Sequence, residues 1–501
     1  AAERLAHLDA EERRLLTSPA APIVLARRRA DAGLACGVSP GSPLVGVLLA
    51  YTPLHHLLLA AAGRSLVMTS ANLAGEPIAC RDDEIRTRLA GVADLLLTHE
   101  RAIVGPCEDS VARVIDGAPV VLRRSRGWVP RPVPLARAVR RPVLGCGGDL
   151  KNAVCLAVDD LAYLGPHVGD LDVLEATEAL AEAAERLQRL VGVRAEIVAH
   201  DLHPGFRSVA VAHGLAAAHH VGVQHHHAHI ASAMAEHGLL GPVLGVAYDG
   251  TGWGADGTAW GGEVLLADLE RFERVATWRP IALPGGERAI REVWRAALAA
   301  LDDAFDGEPP LNQLALFAHV PDSRRAAVRR LLAAAVTCPR ARGVGRWFDV
   351  FGALGLALPA SRYEGEVAMA WSNVADVAAA GAYPFAIDFD ATPWEVDPRP
   401  ALRAAVADLR GGEPVAAIAA RFHRGVVRIT VEAVRAAVLR RGALPVVLTG
   451  GCFQNPWLAE GVARGLAPEL SVHGHRNVPP GDGGIALGQV LVADARTRAC
   501  A

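Results

Sequence analysis

Three times in 501 residues an apolar stretch, short enough to be one buried strand, runs straight into a glycine-rich turn. Val143–Leu144 leads into Gly145-Cys146-Gly147-Gly148 and out again through Ala153–Val158, which reads as a hairpin with a backbone-exposed tip. Val243–Tyr248 leads into Asp249-Gly250-Thr251-Gly252, and Pro445–Thr449 into Gly450-Gly451-Cys452-Phe453-Gln454-Asn455. Glycine at a strand end lets backbone N–H groups approach an anion's oxygens with no Cβ in the way. One such turn says little, because most glycine turns only turn. Three, each following an apolar strand, constrain the fold far more.

All three lie within 142–501, with helical periodicity over Val173–Leu190 and Val209–His219 between them. That organisation predicts a two-lobed, actin-like (ASKHA) nucleotide-binding domain. Residues 1–130 read as a smaller α/β domain. Pro22–Ala26, Leu44–Leu49 and Ser65–Thr69 are expected strands, and Leu54–Ala62 is an expected helix after Thr52-Pro53. A Pro/Arg-rich linker is expected at 131–141. The length itself demands more than one core. Neither G-x-x-x-x-G-K-[ST] nor G-x-S-x-G occurs, which argues against a P-loop enzyme and a serine hydrolase.

A net charge of −3 gives no general attraction to nucleic acid or anionic membrane, and no apolar run is long enough to span a bilayer. The eight cysteines contain no C-x-x-C pair, so a reduced, cytoplasmic setting is expected. The chain opens on Ala1 without a leader pattern, which points to a processed or truncated start. Lys151 is the only lysine among 51 basic residues. A lysine kept where arginine otherwise serves everywhere suggests a need for a compact point charge, such as a phosphate contact; the alternative is a chance survivor.

The strongest local feature is Gln224-His225-His226-His227-Ala228-His229. If the following Ile230–His237 is helical from the cluster onward, His225 and His229 share one face and can hold one ion, an oxygen ligand completing the shell. The alternative is a polar helix cap. A carboxylate between glycines, Asp482 in Pro479-Pro480-Gly481-Asp482-Gly483-Gly484, is a candidate third ligand; alone it reads as a turn former. Asp249, in its glycine turn, is expected to act through Mg2+ or water, or else to decorate a hairpin.

Together these segments resemble the HypF family, carbamoyltransferases that begin cyanide-ligand synthesis for nickel–iron hydrogenases. In the first part the resemblance runs through Tyr51-Thr52-Pro53-Leu54-His55-His56, Thr69-Ser70-Ala71-Asn72-Leu73-Ala74-Gly75-Glu76-Pro77-Ile78, Glu108-Asp109-Ser110-Val111 and Arg123-Arg124-Ser125-Arg126-Gly127. These are similar to the later part of a YrdC-like domain. In the second part it covers Lys151-Asn152, Asp201-Leu202-His203-Pro204, the histidine cluster, Trp260-Gly261-Gly262-Glu263, Tyr363-Glu364-Gly365, the Gly450 turn and the Asp482 segment. The resemblance implies His225, His229 and Asp482 as ligands of one iron or zinc ion and as the catalytic centre. It implies nucleotide contacts, to the ATP/AMP moiety of carbamoyl-adenylate with Mg2+, from Lys151, Asp249, Gly250, Thr251, Gly252, Glu364, Gly365, Gly450, Gly451 and Asn455. It implies carbamoyl phosphate as carbamoyl source and the C-terminal cysteine tail of HypE as acceptor.

Three departures accompany the resemblance. The acylphosphatase and zinc modules that open the family have no counterpart here. Nor does the lysine-bearing opening of the YrdC-like domain, so the expectation is a chain that transfers a carbamoyl group but does not activate one. Arg342-Gly343-Val344-Gly345-Arg346 stands where the family often shows a serine pair before Gly-Arg. Other readings are an O-carbamoyltransferase acting on a small-molecule hydroxyl, a tRNA threonylcarbamoyl-modification enzyme, and a metallohydrolase. RNA binding through the arginines at 123, 124, 126, 131, 137, 140 and 141 is disfavoured against a solvated linker.

Overall fold

The structure is a computed structural model that describes residues 1–73 and 75–499, the side chain of Ala499 excepted; Ala74 of the Thr69–Ile78 segment lies outside the described residues. The chain groups into two compact units. One comprises Ala1–Val223, Ala231–Leu240 and His475–Ala501, the other Gln224–Ile230 and Gly241–Gly474.

The first unit holds two sheets. Strands β1 (Ala6–His7), β2 (Ile23–Arg28), β3 (Leu44–Val47), β4 (Val111–Ile115) and β5 (Ala118–Arg123) form the first, in the order β1-β2-β4-β5 with β3 also on β2. Val24 and Ala26 point inward from β2 and meet Val45, Val47, Ala112 and Val121, with Leu15 and Leu16 of the helix Ala10–Leu16 packed on them. The helix at Pro53–Ala62 starts where Thr52-Pro53 says it should, Thr52 Oγ1 accepting from the His55 N–H at 3.1 Å. The strand expected at Ser65–Thr69 does not form. Leu66, Val67 and Met68 stay exposed and join no ladder, and without a neighbouring backbone an apolar run has nothing to make it a strand.

The second sheet contains β6 (Val133–Pro134), β7 (Val143–Gly145), β8 (Cys155–Val158), β9 (Leu161–Leu164), β10 (Ile197–Asp201) and β11 (His219–Val223), ordered β11-β10-β7-β8-β9-β6. β7 and β8 make the expected hairpin. β10 lies parallel to β7 and β11, the crossovers carrying the helices Leu174–Val191 and Arg207–Gly214. The second helix is shorter than its periodicity suggests, because the chain leaves it at Gly214 and His219 is drawn into β11. Within 131–141, Val133 and Pro134 pair with β9, and the Leu135 and Val139 N–H groups donate to Asp160 and Asp159 at 2.8 and 2.7 Å. A proline suits that edge position.

The second unit is built on β12 (Val243–Trp253), β13 (Ala259–Ala267), β14 (Phe272–Trp278), β15 (Ile281–Ala282), β16 (Arg340–Ala341), β17 (Ala386–Asp388), β18 (Trp394–Asp397), β19 (Val446–Thr449) and β20 (Val472–Gly474). Its main path runs β17-β18-β14-β13-β12-β19-β20. Trp278, Trp294, Trp347, Phe351, Trp371 and Phe422 fill its core with the helices Trp294–Ala304, Val344–Leu356 and Val415–Arg441. β12 and β19 run parallel, Leu244 opposite Val446 through Ala247 opposite Thr449, so their glycine segments emerge side by side. Asp249-Gly250-Thr251-Gly252 is not the turn the sequence suggests. β12 continues to Trp253 with a register shift between Tyr248 and Gly252, and the chain reverses at Gly254–Thr258, where the Gly254 N–H donates to the Thr258 carbonyl at 3.0 Å.

Candidate active site

The helix His225–Glu236 begins at the histidine cluster itself. Gln224 fixes its start from both ends of one amide. Oε1 accepts the His227 N–H at 2.9 Å, and Nε2 donates to the Trp253 carbonyl at 2.9 Å, tying the helix to the end of β12. His225, His226, His227 and His229 are all buried. His227 is an anchor, its Nε2–H donating to the Asp268 carbonyl at 2.7 Å. His225 and His229, one helical turn apart, have ring centroids 4.9 Å apart.

Asp249 reaches this pair from β12. Its Oδ2 lies 3.0 Å from His229 Nε2 and 3.8 Å from His225 Nε2, and its Oδ1 accepts the Gly250 N–H at 2.7 Å. Ligand atoms of His225, His229 and Asp249 lie within 4.8 Å of one another. Burial opposes ionisation of Asp249, yet the bonds and charge of His225 and His229 outweigh it and hold the carboxyl well below its ordinary range. A Cβ on Gly252 would fall 2.5 Å from His226 Cε1 and 2.7 Å from His225 Cδ2, so only glycine lets β12 lie against the histidines. Two imidazoles and an ionised carboxylate in one buried place are a donor set that suits zinc or iron(II).

Around Asp249 and Gly250 the packing is backbone on backbone. Gly450 has φ +94°, and a Cβ there would lie 2.2 Å from the Tyr248 carbonyl oxygen. A Cβ on Gly451 would stand 3.1 Å from Asp249 Oδ1, one on Gly343 2.1 Å from the Gly250 oxygen, and one on Gly345 2.9 Å from Gly250 Cα. The Arg342–Arg346 segment therefore meets Gly250 with bare backbone, and no hydroxyl stands at Gly343. Arg346, which sequence reasoning passed over, is buried in an ion pair with Asp349 at 3.0 Å, and its Nη2 would lie 3.0 Å from a Cβ on Gly250. The Gly-x-Gly spacing was the available signal.

The other expected residues are placed as follows. Thr251 and Glu364 are exposed, and Gly365, at φ +75°, opens the helix Glu366–Val374. Asn455 caps the helix Pro456–Leu466, its Oδ1 accepting from the Trp457 N–H at 3.0 Å and from Ser372 Oγ at 3.2 Å. In the first unit Lys151 is half-buried at φ +47°, its N–H donating to Asp170 Oδ1 at 2.7 Å. In that unit Asp482 opens the turn Asp482–Gly484 leading into the helix Ile485–Ala499, and a Cβ on Gly483 would be 3.4 Å from the Lys151 carbonyl oxygen. The structure thus groups His225, His229, Asp249, Gly250, Gly252, Gly450 and Gly451 in one unit, and Lys151 with the Asp482 turn in the other. Arg123 and Arg126 pair with Glu108 and Asp109 at 2.9 and 2.5 Å, and Arg124 is buried on backbone carbonyls, so none of the three lies on a free basic face.

A YrdC-like α/β domain followed by an actin-like nucleotide-binding fold is the class these features define. The family model for the "HypF Kae1-like domain" matches residues 138–236, that for "Carbamoyltransferase, Kae1-like Domain, second subdomain" matches 245–489, and a YrdC-type model described as "Telomere recombination" matches 1–125. The chain is 39% identical to a carbamoyltransferase HypF homolog of Cupriavidus necator, over 70% of this chain and 91% of that protein. It is 40% identical to carbamoyltransferase HypF of Rhizobium leguminosarum bv. viciae, over 98% of this chain and 64% of that protein. A crystal structure of full-length HypF in the phosphate- and nucleotide-bound form matches with TM-score 0.93 and 35% identity, over 99% of this chain and 77% of that one. The chain belongs to the HypF carbamoyltransferase family. It spans 64% of the length of the longer curated relatives. No helix among the described residues is long and apolar enough to cross a membrane.

Proposed function

We propose that the chain transfers a carbamoyl group in nickel–iron hydrogenase maturation, from carbamoyl-adenylate made of carbamoyl phosphate and ATP to the C-terminal cysteine of HypE, in the cytoplasm. The observation that carries this reading is the convergence of His225, His229 and Asp249 beside the glycine segments at the ends of β12 and β19. In this reading His225, His229 and Asp482 hold one iron or zinc ion, with Asp249 against the histidines. The bound ion supplies Lewis acidity toward a carbonyl oxygen. Gly250, Gly450 and Gly451 offer N–H groups to the adenylate phosphate, together with Mg2+; Lys151 contributes a point charge to it, and Thr251, Glu364, Gly365 and Asn455 border the nucleoside.

The step balances without a nucleophile from this chain. The HypE cysteine loses its proton, its thiolate attacks the carbamoyl carbon, a C–S bond forms, and the bond from that carbon to the phosphate oxygen breaks, AMP leaving with the electron pair. The test supplies preformed carbamoyl-adenylate and a HypE tail peptide to the metal-loaded chain. The peptide should gain the mass of one carbamoyl group, and His225→Ala/His229→Ala should abolish the gain. A folded, metal-loaded chain that leaves the peptide unchanged overturns the reading.

A further inference from the structure

A second group of histidines lies in the first unit, on the sheet face beside β10 and β11. β10 and β11 are parallel with Val198 opposite His220 and His200 opposite Gly222, so His200 and His220 point to one face two residues apart. His213, on the helix Arg207–Gly214, covers that face, its ring centroid 4.7 Å from that of His200 and 5.4 Å from that of His220. His200 is buried and oriented. Its Nδ1 lies 2.7 Å from the Asp201 carbonyl, which fixes the proton on Nδ1 and leaves Nε2 with a lone pair. That is how metal-binding imidazoles are commonly held from behind. Gly222 lies directly across from His200; a Cβ there would be 3.6 Å from His200 Cε1 and 2.5 Å from Leu202 Cδ2, so the exposed Leu202 side chain borders the ring on that side. His213 and His220 are exposed, so rotation about χ1 and χ2 is open to both rings.

We propose that His200, His213 and His220 form a second metal site, separate from the His225–His229 centre, that takes one borderline divalent cation through three imidazole nitrogens. Three nitrogens without a carboxylate select zinc, nickel or copper(II) over magnesium or calcium. β11 is the edge strand of its sheet, and the ion clips it to the helix Arg207–Gly214.

The experiment titrates the chelator-stripped full chain with Zn2+ against a chromophoric competitor. The full chain is expected to take two ions, His213→Gln/His220→Gln one, His225→Ala/His229→Ala one, and the quadruple variant none. Because His213 and His220 are exposed, their replacement leaves the fold in place, which circular dichroism checks. His200→Gln is the buried counterpart and should also lose one ion. A zinc stoichiometry that His213→Gln/His220→Gln leaves unchanged overturns the proposal, whatever His225→Ala/His229→Ala does.

Discussion

The glycine loop between β7 and β8 and the glycine segments at the ends of β12 and β19 look alike in sequence and both set glycine against backbone, a Cβ on Gly147 falling 2.8 Å from the Ala153 carbonyl oxygen, but the first adds a pair of side-chain amides. The first is clamped by side chains. Gln489 accepts the Gly147 N–H at 2.8 Å and returns its own amide to the Gly147 carbonyl at 3.1 Å, while Asn152 Nδ2 donates to Cys146 and Gly148. The second is held by glycine against backbone, Gly343 and Gly345 on Gly250 and Gly450 on Tyr248. A side-chain clamp fails by losing hydrogen bonds, each worth about 1–3 kcal/mol when a buried partner is left bare. A backbone contact fails by collision, which backbone cannot relieve by turning a rotamer.

Gly343→Ala should therefore have the largest effect. Its Cβ would sit 2.1 Å from a carbonyl oxygen, so the Arg342–Arg346 segment and Gly250 must separate. We expect a loss of about 3 kcal/mol in urea unfolding, at the upper end of overpacking costs, and loss of nucleotide binding by calorimetry. A stability change under about 0.5 kcal/mol, as for an ordinary surface site, would erase the distinction between the two kinds of loop.

Gln489→Ala comes next. It leaves the buried Gly147 N–H and carbonyl without their partner, for about 2 kcal/mol. Gln489→Glu keeps the acceptor and loses the donor, so it should recover part of that if the clamp works through both hydrogen bonds. Equal loss in both variants would mean that packing, not hydrogen bonding, holds the loop.

Gln224→Ala sharpens the comparison from inside the second unit, because this residue is an amide clamp beside glycine packing. Losing the His227 cap and the Trp253 bond should cost about 1–2 kcal/mol. Zn2+ affinity should fall roughly tenfold as His225 and His229 lose their fixed start, the usual lower bound for a supporting contact. Unchanged affinity would separate the cap from the metal-binding geometry.

What the sequence made legible follows the same division. The His225–His229 pair could be read because helical spacing is local, and the β7–β8 hairpin because both strands flank the turn. Asp249 was read as a Mg2+ or water contact in a turn. Its approach to His229 depends on β12 running past Tyr248 through a register shift, which is set by pairing with β13 and leaves no local trace. Gly343 and Gly345 drew notice only as a departure from the family pattern, because their contact with Gly250 joins residues far apart in the chain. The Ser65–Thr69 run failed for the converse reason: its local pattern was present and its partner strand was not. Lys151, singular in composition, lies at a positive φ that the composition gave no way to foresee.

The smallest expected effect tests whether side-chain clamps make the first unit acid-sensitive where glycine packing does not. Glu236, at the end of the histidine helix, accepts the Arg476 N–H at 3.1 Å and the Asn477 N–H, and lies 3.2 Å from His475 Nδ1. Burial raises its pKa, but His475 and the backbone N–H groups together outweigh that and hold it below the ordinary carboxylate range. A depressed carboxylate contributes stability that is present above its unfolded pKa, about 4.3, and is lost as the pH falls from there through its folded value. Glu236→Gln removes that contribution and substitutes a neutral acceptor for the backbone N–H groups. It should thus destabilise by about 1 kcal/mol at neutral pH, and the difference from the unmodified chain should shrink as the pH drops below about 4. Gly343→Ala carries no titrating group, so its cost should be the same at both pH values. Urea midpoints of the three proteins at neutral and acid pH decide the matter. A Glu236→Gln deficit that persists unchanged in acid would show that Glu236 acts by shape rather than by charge, and the contrast between clamped and glycine-packed regions would then not extend to pH.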